Sequence, residues 1–263
     1  MNGPAISNIA FTKDGKLFVV TGDSYTAGYN SSGKIEFNSL SNLLVFNTSD
    51  FTVAENTSDY SSYTNAFDKS NAKNITSTIK GKAITLNIPD AKPVVLKGHK
   101  ANVLNVIINK EGIMAVSNAD EPLTIVWNTL TGAILKSFDS RKISMAFSND
   151  GKFIVLDGAV YNTEDFSFVR SFAKGANVFT VAMSNNGKYI AVSYEIESDS
   201  RKSYVKLFNL LTGEELAKYI TPGENQTEWR AQLVFSPDDK YLAGNCNVCK
   251  SIYVYDVSAF TSK

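Results

Sequence analysis

Apolar and polar residues alternate over short runs along this chain, and turn-forming residues separate the runs at close intervals. The stretch TIVWNTLTGAILKSF, Thr124 to Phe138, is representative: an alternating segment ends in Trp-Asn, a Thr-Gly turn follows, and a second apolar segment begins. Side chains that alternate with a period of two, rich in β-branched and aromatic types, suit a pleated and half-buried surface, so these runs predict strands. A second turn signal lies out of phase with the first, in FTKDGKLFVV, INKEGIMAVS, FSNDGKFIVL, MSNNGKYIAV and FSPDDKYLAG. Gly or Asn supplies the positive backbone angle that such turns often need, which predicts hairpins at these places.

The two signals recur together. An aromatic residue followed by Asn or Asp occurs at Phe46-Asn47, Trp127-Asn128, Tyr161-Asn162, Phe208-Asn209 and Tyr255-Asp256, with Leu86-Asn87 as a weaker sixth case. Successive pairs lie 34 to 47 residues apart, which brackets the period of about 40 to 45 residues of a four-stranded repeat. Each unit therefore reads strand a, turn, strand b, loop, strand c, turn, strand d. The predicted units are residues 5–57, 58–97, 98–139, 140–173, 174–220 and 221–263 of one domain, residues 1–263. The second is the least regular, because NAKNITSTIKGKAITLN lacks the usual first turn. GEELAKYI, Gly213 to Ile220, is rich in helix formers, but it holds the place that GAILKSF holds in the third unit and is read as strand d.

The unit from Gly98 to Phe138 resembles a WD repeat: a Gly-His start, a turn between strands a and b, an Asp before strand c, and Trp-Asn where the family has Trp-Asp. The other five units are degenerate, and together the six cover nearly the whole chain. The resemblance implies an all-β fold, a β-propeller of about six four-stranded blades in this chain, with strand a nearest the axis. It also implies a hydrogen-bonded set that fixes the blade, for which His99, Ser117, Asp120 and Trp127 are the nearest matches; Glu121-Pro122 lengthens the loop beside that Asp. The set is structural in the family and assigns no catalytic residue.

Composition narrows the function classes. Lys+Arg and Asp+Glu both number 26, so the diffuse positive field of a general nucleic-acid binder is missing. No run of about 18 apolar residues predicts membrane insertion, and the N-terminus lacks a signal-peptide pattern, which leads to the expectation of a cytoplasmic protein. A single histidine, His99, cannot assemble a histidine-based metal centre, and its Gly-His context points to the structural role. Cys246 and Cys249 have the C-x-x-C spacing of a zinc half-site or redox pair, or of a plain small-residue turn. Glu195, Glu197 and Asp199 fall on one side of an extended EIESD segment, yet Arg201 and Lys202 follow at once, as in a solvated hairpin tip. No cofactor, metal site or catalytic group is expected, and the reading is of a noncatalytic scaffold for a protein or peptide.

Three long connections, GDSYTAGYNSSGKIEFNSLSN, YEIESDSRKS and TPGENQTEWRAQ, occupy b-to-c or d-to-a positions, which emerge on one face of a propeller. That face is the expected recognition surface. Lys100, Arg141, Lys142, Lys174 and Arg230 reach it with Trp229, Tyr25 and Tyr29, and would hold an acidic peptide around Trp229 as anchor. The ends pose a separate question. Only VSAFTSK follows Asp256, too little for a fourth strand, and only MNGPA precedes the first. Either the chain is an excerpt of a seven- or eight-bladed ring, the preferred expectation, or it is an open six-bladed ring completed by a blade-donating partner, as in coat and cage subunits. Both alternatives predict a marginally stable or self-associating chain.

Overall fold

The computed structural model describes residues 6–22, 27–29, 34–37, 43–57, 62, 73–172, 178–196, 199–220, 232–246 and 251–261. Strand is the dominant regular structure of the described residues, and every strand pairing is antiparallel between neighbours in a sheet. The strands gather into two units, residues 1–68 with 173–263, and residues 69–172.

In the first unit, β1 (Ile6–Phe11) and β2 (Leu17–Gly22) form a hairpin. The chain then makes β3 (Ala27–Tyr29) and β4 (Lys34–Phe37) before returning as β5 (Leu43–Asn47) and β6 (Val53–Thr57), so that the sheet order is β1-β2-β5-β6. The second unit holds β7 (Thr76–Lys80), β8 (Ala83–Asn87) and β9 (Val94–Lys97) as a three-stranded sheet. It continues with β10 (Val103–Ile108), β11 (Met114–Ala119), β12 (Thr124–Asn128) and β13 (Ile134–Phe138), then β14 (Met145–Phe147), β15 (Phe153–Leu156), β16 (Ala159–Asn162) and β17 (Phe168–Ser171), each set of four making one sheet. Back in the first unit, β18 (Val178–Met183), β19 (Tyr189–Ile196), β20 (Asp199–Asn209) and β21 (Glu215–Ile220) form another sheet of four. The helix-forming segment ELAKYI is strand β21, because its pairing with β20 outweighs local propensity.

The last sheet draws strands from both ends of the chain. It consists of β22 (Leu233–Phe235), β23 (Tyr241–Cys246) and β24 (Ser251–Asp256), and then β4 and β3, in the order β22-β23-β24-β4-β3. Ser251, Ile252 and Tyr253 pair with Glu36, Ile35 and Lys34, and β3 pairs beyond them, Tyr29 with Ile35. The strand beside β24 thus comes from the long insertion between β2 and β5. The reason is backbone chemistry: the outer edge of β24 carries backbone donors and acceptors that seek partners, and KIEF pairs with its first half, Ser251 to Tyr253.

Adjacent blades bury apolar faces against each other inside each unit. Ile9, Phe11, Phe18 and Phe46 pack with Ala243 and Ile252 of the last sheet, whose other face places Phe235, Leu242 and Val257 against Ala182, Ala191 and Leu207. In the second unit, Ile84, Leu86 and Leu96 pack on Ile125 and Trp127, while Val116 and Val126 meet Ile154 and Leu156 on the opposite face. A strand sandwiched between two neighbours must be apolar on both sides, which is why Val45, Phe46, Val126 and Trp127 are consecutive buried positions.

Turn chemistry explains the repeated sequence signals. In the a-to-b turns the hydroxyls of Thr12, Ser148, Ser184 and Ser236 donate to Asp14, Asp150, Asn186 and Asp238 at 2.7 to 2.8 Å, and the same side-chain oxygens of the latter accept from the backbone N–H of Lys16, Lys152, Lys188 and Lys240. At the c-to-d turns, Asn128 and Asn209 accept N–H bonds from the two residues that lie two and three positions on, with Gly132 and Gly213 at positive φ closing the turn. The Thr that follows the marker Asn ties the two turns together, Thr48 to the carbonyl of Gly15 and Thr129 to that of Gly112, both at 2.7 Å.

Candidate functional site

The chemistry-bearing residues of the third blade form a hydrogen-bonded line running from its core to its surface. Trp127, fully buried on β12, donates its indole N–H to Ser117 Oγ at 2.8 Å. Ser117 on β11 lies 2.8 Å from His99 Nε2, and His99 Nδ1 lies 2.9 Å from Glu121 Oε1. A carboxylate only accepts, so Nδ1 carries a proton, which leaves Nε2 able to accept the Ser117 hydroxyl proton. Both ring nitrogens are engaged, and neither is available to a metal or a substrate.

Asp120 was the expected histidine partner, and that expectation is corrected. Glu121 takes the place, because the lengthened loop makes a tight turn in which Leu123 N–H donates to Glu121 O at 2.8 Å and the longer Glu side chain reaches inward. Burial works to raise the Glu121 pKa, but the bonds from His99 and from Lys100 N–H, the latter at 3.0 Å, outweigh it and hold the carboxyl below its ordinary value of 4.5. Asp120 instead accepts from Arg141 at 2.9 Å across exposed surface. Gly98 has a packing reason to be glycine: a Cβ there would stand 2.9 Å from Trp127 Cη2.

At the same end of the third and fourth blades lie three of the residues expected on the recognition face. Lys100 is exposed, Arg141 is paired with Asp120, and Lys142 Nζ stands 4.0 Å from Asp157 Oδ2. Asp157 also accepts from the N–H groups of Ile143 and Ser144 at 2.9 Å each, and burial raises its pKa. Two apolar residues accompany these charges, which the sequence reading did not single out: Leu104 at the start of β10 and Ile143 just before β14 are 55% and 63% exposed. An apolar residue beside a blade-top strand, out of step with the buried alternation, is the signal that marks them.

Tyr25, Lys174, Trp229 and Arg230 lie outside the described residues, as do Cys249 and Glu197. Tyr29 belongs to β3 in the last sheet, Cys246 ends β23, and Glu195 and Asp199 fall within β19 and β20. Among the described residues no three His, Cys, Asp or Glu side chains are grouped so as to hold a metal ion, and no helix is long and apolar enough to cross a membrane.

No protein-family profile matches the chain. Over 173 residues it is 26% identical to the WD repeat-containing protein SL1-17 of Schistosoma mansoni; the alignment takes in 61% of this chain and 52% of that relative, about half of its length. A chain in the crystal structure of the mitotic checkpoint complex superposes with a TM-score of 0.57 at 13% identity, covering 96% of this chain and 74% of that one. At that identity the second likeness is one of fold. Recurrent four-stranded sheets and the likeness of fold make the chain a β-propeller, and its third blade, with the Trp127-to-Glu121 line, is similar to those of WD-repeat proteins.

Proposed function

We propose that the chain is a noncatalytic interaction scaffold and that it holds an acidic protein or peptide segment at the loop end of the third and fourth blades. One observation carries the reading: the polar groups that resemble chemistry are tied to one another inside the blade, while Lys100, Arg141, Lys142, Leu104 and Ile143 stand at its surface. Exposed apolar groups beside cations combine an anchor with orientation, the usual anatomy of a recognition patch on a rigid frame. The relative and the fold neighbour support a protein-binding role in general.

The test is fluorescence anisotropy with a labelled peptide of Glu and Leu residues. Replacing Arg141 and Ile143 together by Ala should weaken binding about tenfold and leave the melting temperature in place. Unchanged affinity in that variant overturns the location.

A further inference from the structure

The connection that carries Arg141, Lys142 and Ile143 is held by the two blades it joins. Thr124, fully buried on β12, donates its hydroxyl to the Ser140 carbonyl and accepts the Lys142 N–H, both at 2.9 Å. Asn118 on β11, itself buried, donates its side-chain amide to the Lys142 carbonyl at 2.6 Å. Asp157 accepts from the Ile143 and Ser144 N–H groups through one and the same oxygen, Oδ1, and its own N–H donates to the Ser144 carbonyl at 2.8 Å. The backbone is thus fixed from within, and the Ile143 side chain is left in solvent.

The two oxygens of Asp157 have different partners. Oδ1 takes both N–H bonds and fixes the turn, while Oδ2 faces Lys142 Nζ, with the Lys142 side chain 22% exposed and that of Asp157 28% exposed. A carboxylate at that range cancels part of the lysine's field, and partial burial leaves the pair less screened than one in open water. The neighbouring pair, Arg141 with Asp120, is 41% and 72% exposed, so it is well screened and parts readily. Asp157 and Gly158 form the two-residue turn between β15 and β16, at φ of 48° and 76°. Asn adopts such a φ as readily as Asp does, so a substitution can separate the work of the two oxygens.

We infer that Asp157 sets the charge selectivity of the loop-end site: Oδ1 positions Ile143 for contact, and Oδ2 restrains Lys142, so that a carboxylate of an incoming acidic segment competes with Asp157 for the same ammonium group. This role rests on the reading of the loop end as the binding site, and it makes Asp157 a positioning residue that acts through Ile143 and Lys142. Its consequence has a distinctive sign. Removing the negative charge while keeping Oδ1 strengthens the binding of an acidic segment, whereas a carboxylate with a structural role alone gives no gain when it is replaced. A segment without carboxylates does not compete for Lys142, so its affinity is independent of the charge on Asp157.

The experiment uses the full chain near neutral pH with the labelled peptide of Glu and Leu residues, and the same peptide with Gln for Glu as the neutral control. Asp157→Asn keeps one acceptor oxygen and loses the charge. It should bind the Glu peptide about threefold to tenfold more tightly at low salt, lose that gain at about 0.5 M salt, and bind the Gln peptide as the unaltered chain does. Asp157→Gly suits the positive φ but lacks both oxygens. It should bind the Glu peptide at least about threefold more weakly than Asp157→Asn, and it alone should show faster amide exchange at Ile143 and Ser144. The role is overturned if Asp157→Asn gains no affinity for the Glu peptide, gains equally for the Gln peptide, matches Asp157→Gly in affinity, or loses protection at Ile143 and Ser144. Arg141→Ala with Ile143→Ala separates the two levels: undiminished binding in that variant overturns the loop-end reading and this role with it, whereas weakened binding there beside an unchanged Asp157→Asn overturns this role alone.

Discussion

Ser117→Ala removes one oxygen from the middle of the third blade, and the structure indicates what that costs. Ser117 is fully buried and has two partners, the Trp127 indole N–H and His99 Nε2, each at 2.8 Å. A buried donor left without an acceptor costs about 1 to 3 kcal/mol, and little is regained by removing one oxygen from a packed site. The indole is fully enclosed and takes the full penalty, and the His99 side chain, only 1% exposed, has little water to replace its lost bond. The net expectation is about 3 kcal/mol, or a fall in melting temperature of roughly 10 °C for a chain of this size. Urea denaturation followed by Trp fluorescence measures it, and the double variant Ser117→Ala with Trp127→Phe gives the coupling. The double variant should cost less than the sum of the two single changes, because the Ser117–Trp127 bond is lost only once. A Ser117→Ala chain within about 0.5 kcal/mol of the unaltered protein would refute the assignment of these bonds as the lock of the blade.

Glu121→Ala should destabilise by about 1 to 2 kcal/mol through the lost bonds to His99 and Lys100 N–H, whereas Asp120→Ala should stay within about 0.5 kcal/mol, a ranking that thermal denaturation of both variants checks. Because the folded Glu121 pKa is lowered, its contribution is complete above the ordinary value of 4.5 and is lost as pH falls through the folded value; Glu121→Gln should therefore flatten the stability curve in that acid range and not near neutrality. Gly98→Ala should cost about 2 kcal/mol by driving a methyl group toward Trp127, Ile134 and Ile125, measured by the same denaturation. Asp239→Ala should cost about 2 to 3 kcal/mol, since the buried carboxylate accepts from Asn185 and Asn186 N–H at 2.7 and 2.9 Å and joins two blades of the first unit.

What was legible in the sequence follows from the range of the forces involved. Period-two alternation and the Ser-Asn-Asp-Gly turns are local, so the strands and the repeating blades could be read from FSNDGKFIVL and TIVWNTLTG without any partner in view. His99, Ser117 and Trp127 stand at fixed repeat positions and were legible for the same reason. Which acid meets His99 depends on the path of a loop longer than its counterpart, and the tight turn at Glu121 to Leu123 decided it. The pairing of β4 with β24 joins residues more than two hundred positions apart, and KIEF carries no local mark of it. The lysines of the second blade were visible in the sequence, but a zero net charge over the whole chain conceals a local excess unless charge is counted blade by blade.

The account turns on the claim that β4 pairs with β24, so that the long insertion supplies a strand of the last sheet. Native-state hydrogen exchange on the full chain tests it most directly, at the amides of Lys34–Phe37 and Ser251–Asp256. The prediction is that the inward-facing amides of both segments are protected to a similar degree, and that Ile35→Pro removes protection from both. Rapid exchange throughout residues 34–37 beside a protected Ser251–Asp256 strand would contradict it.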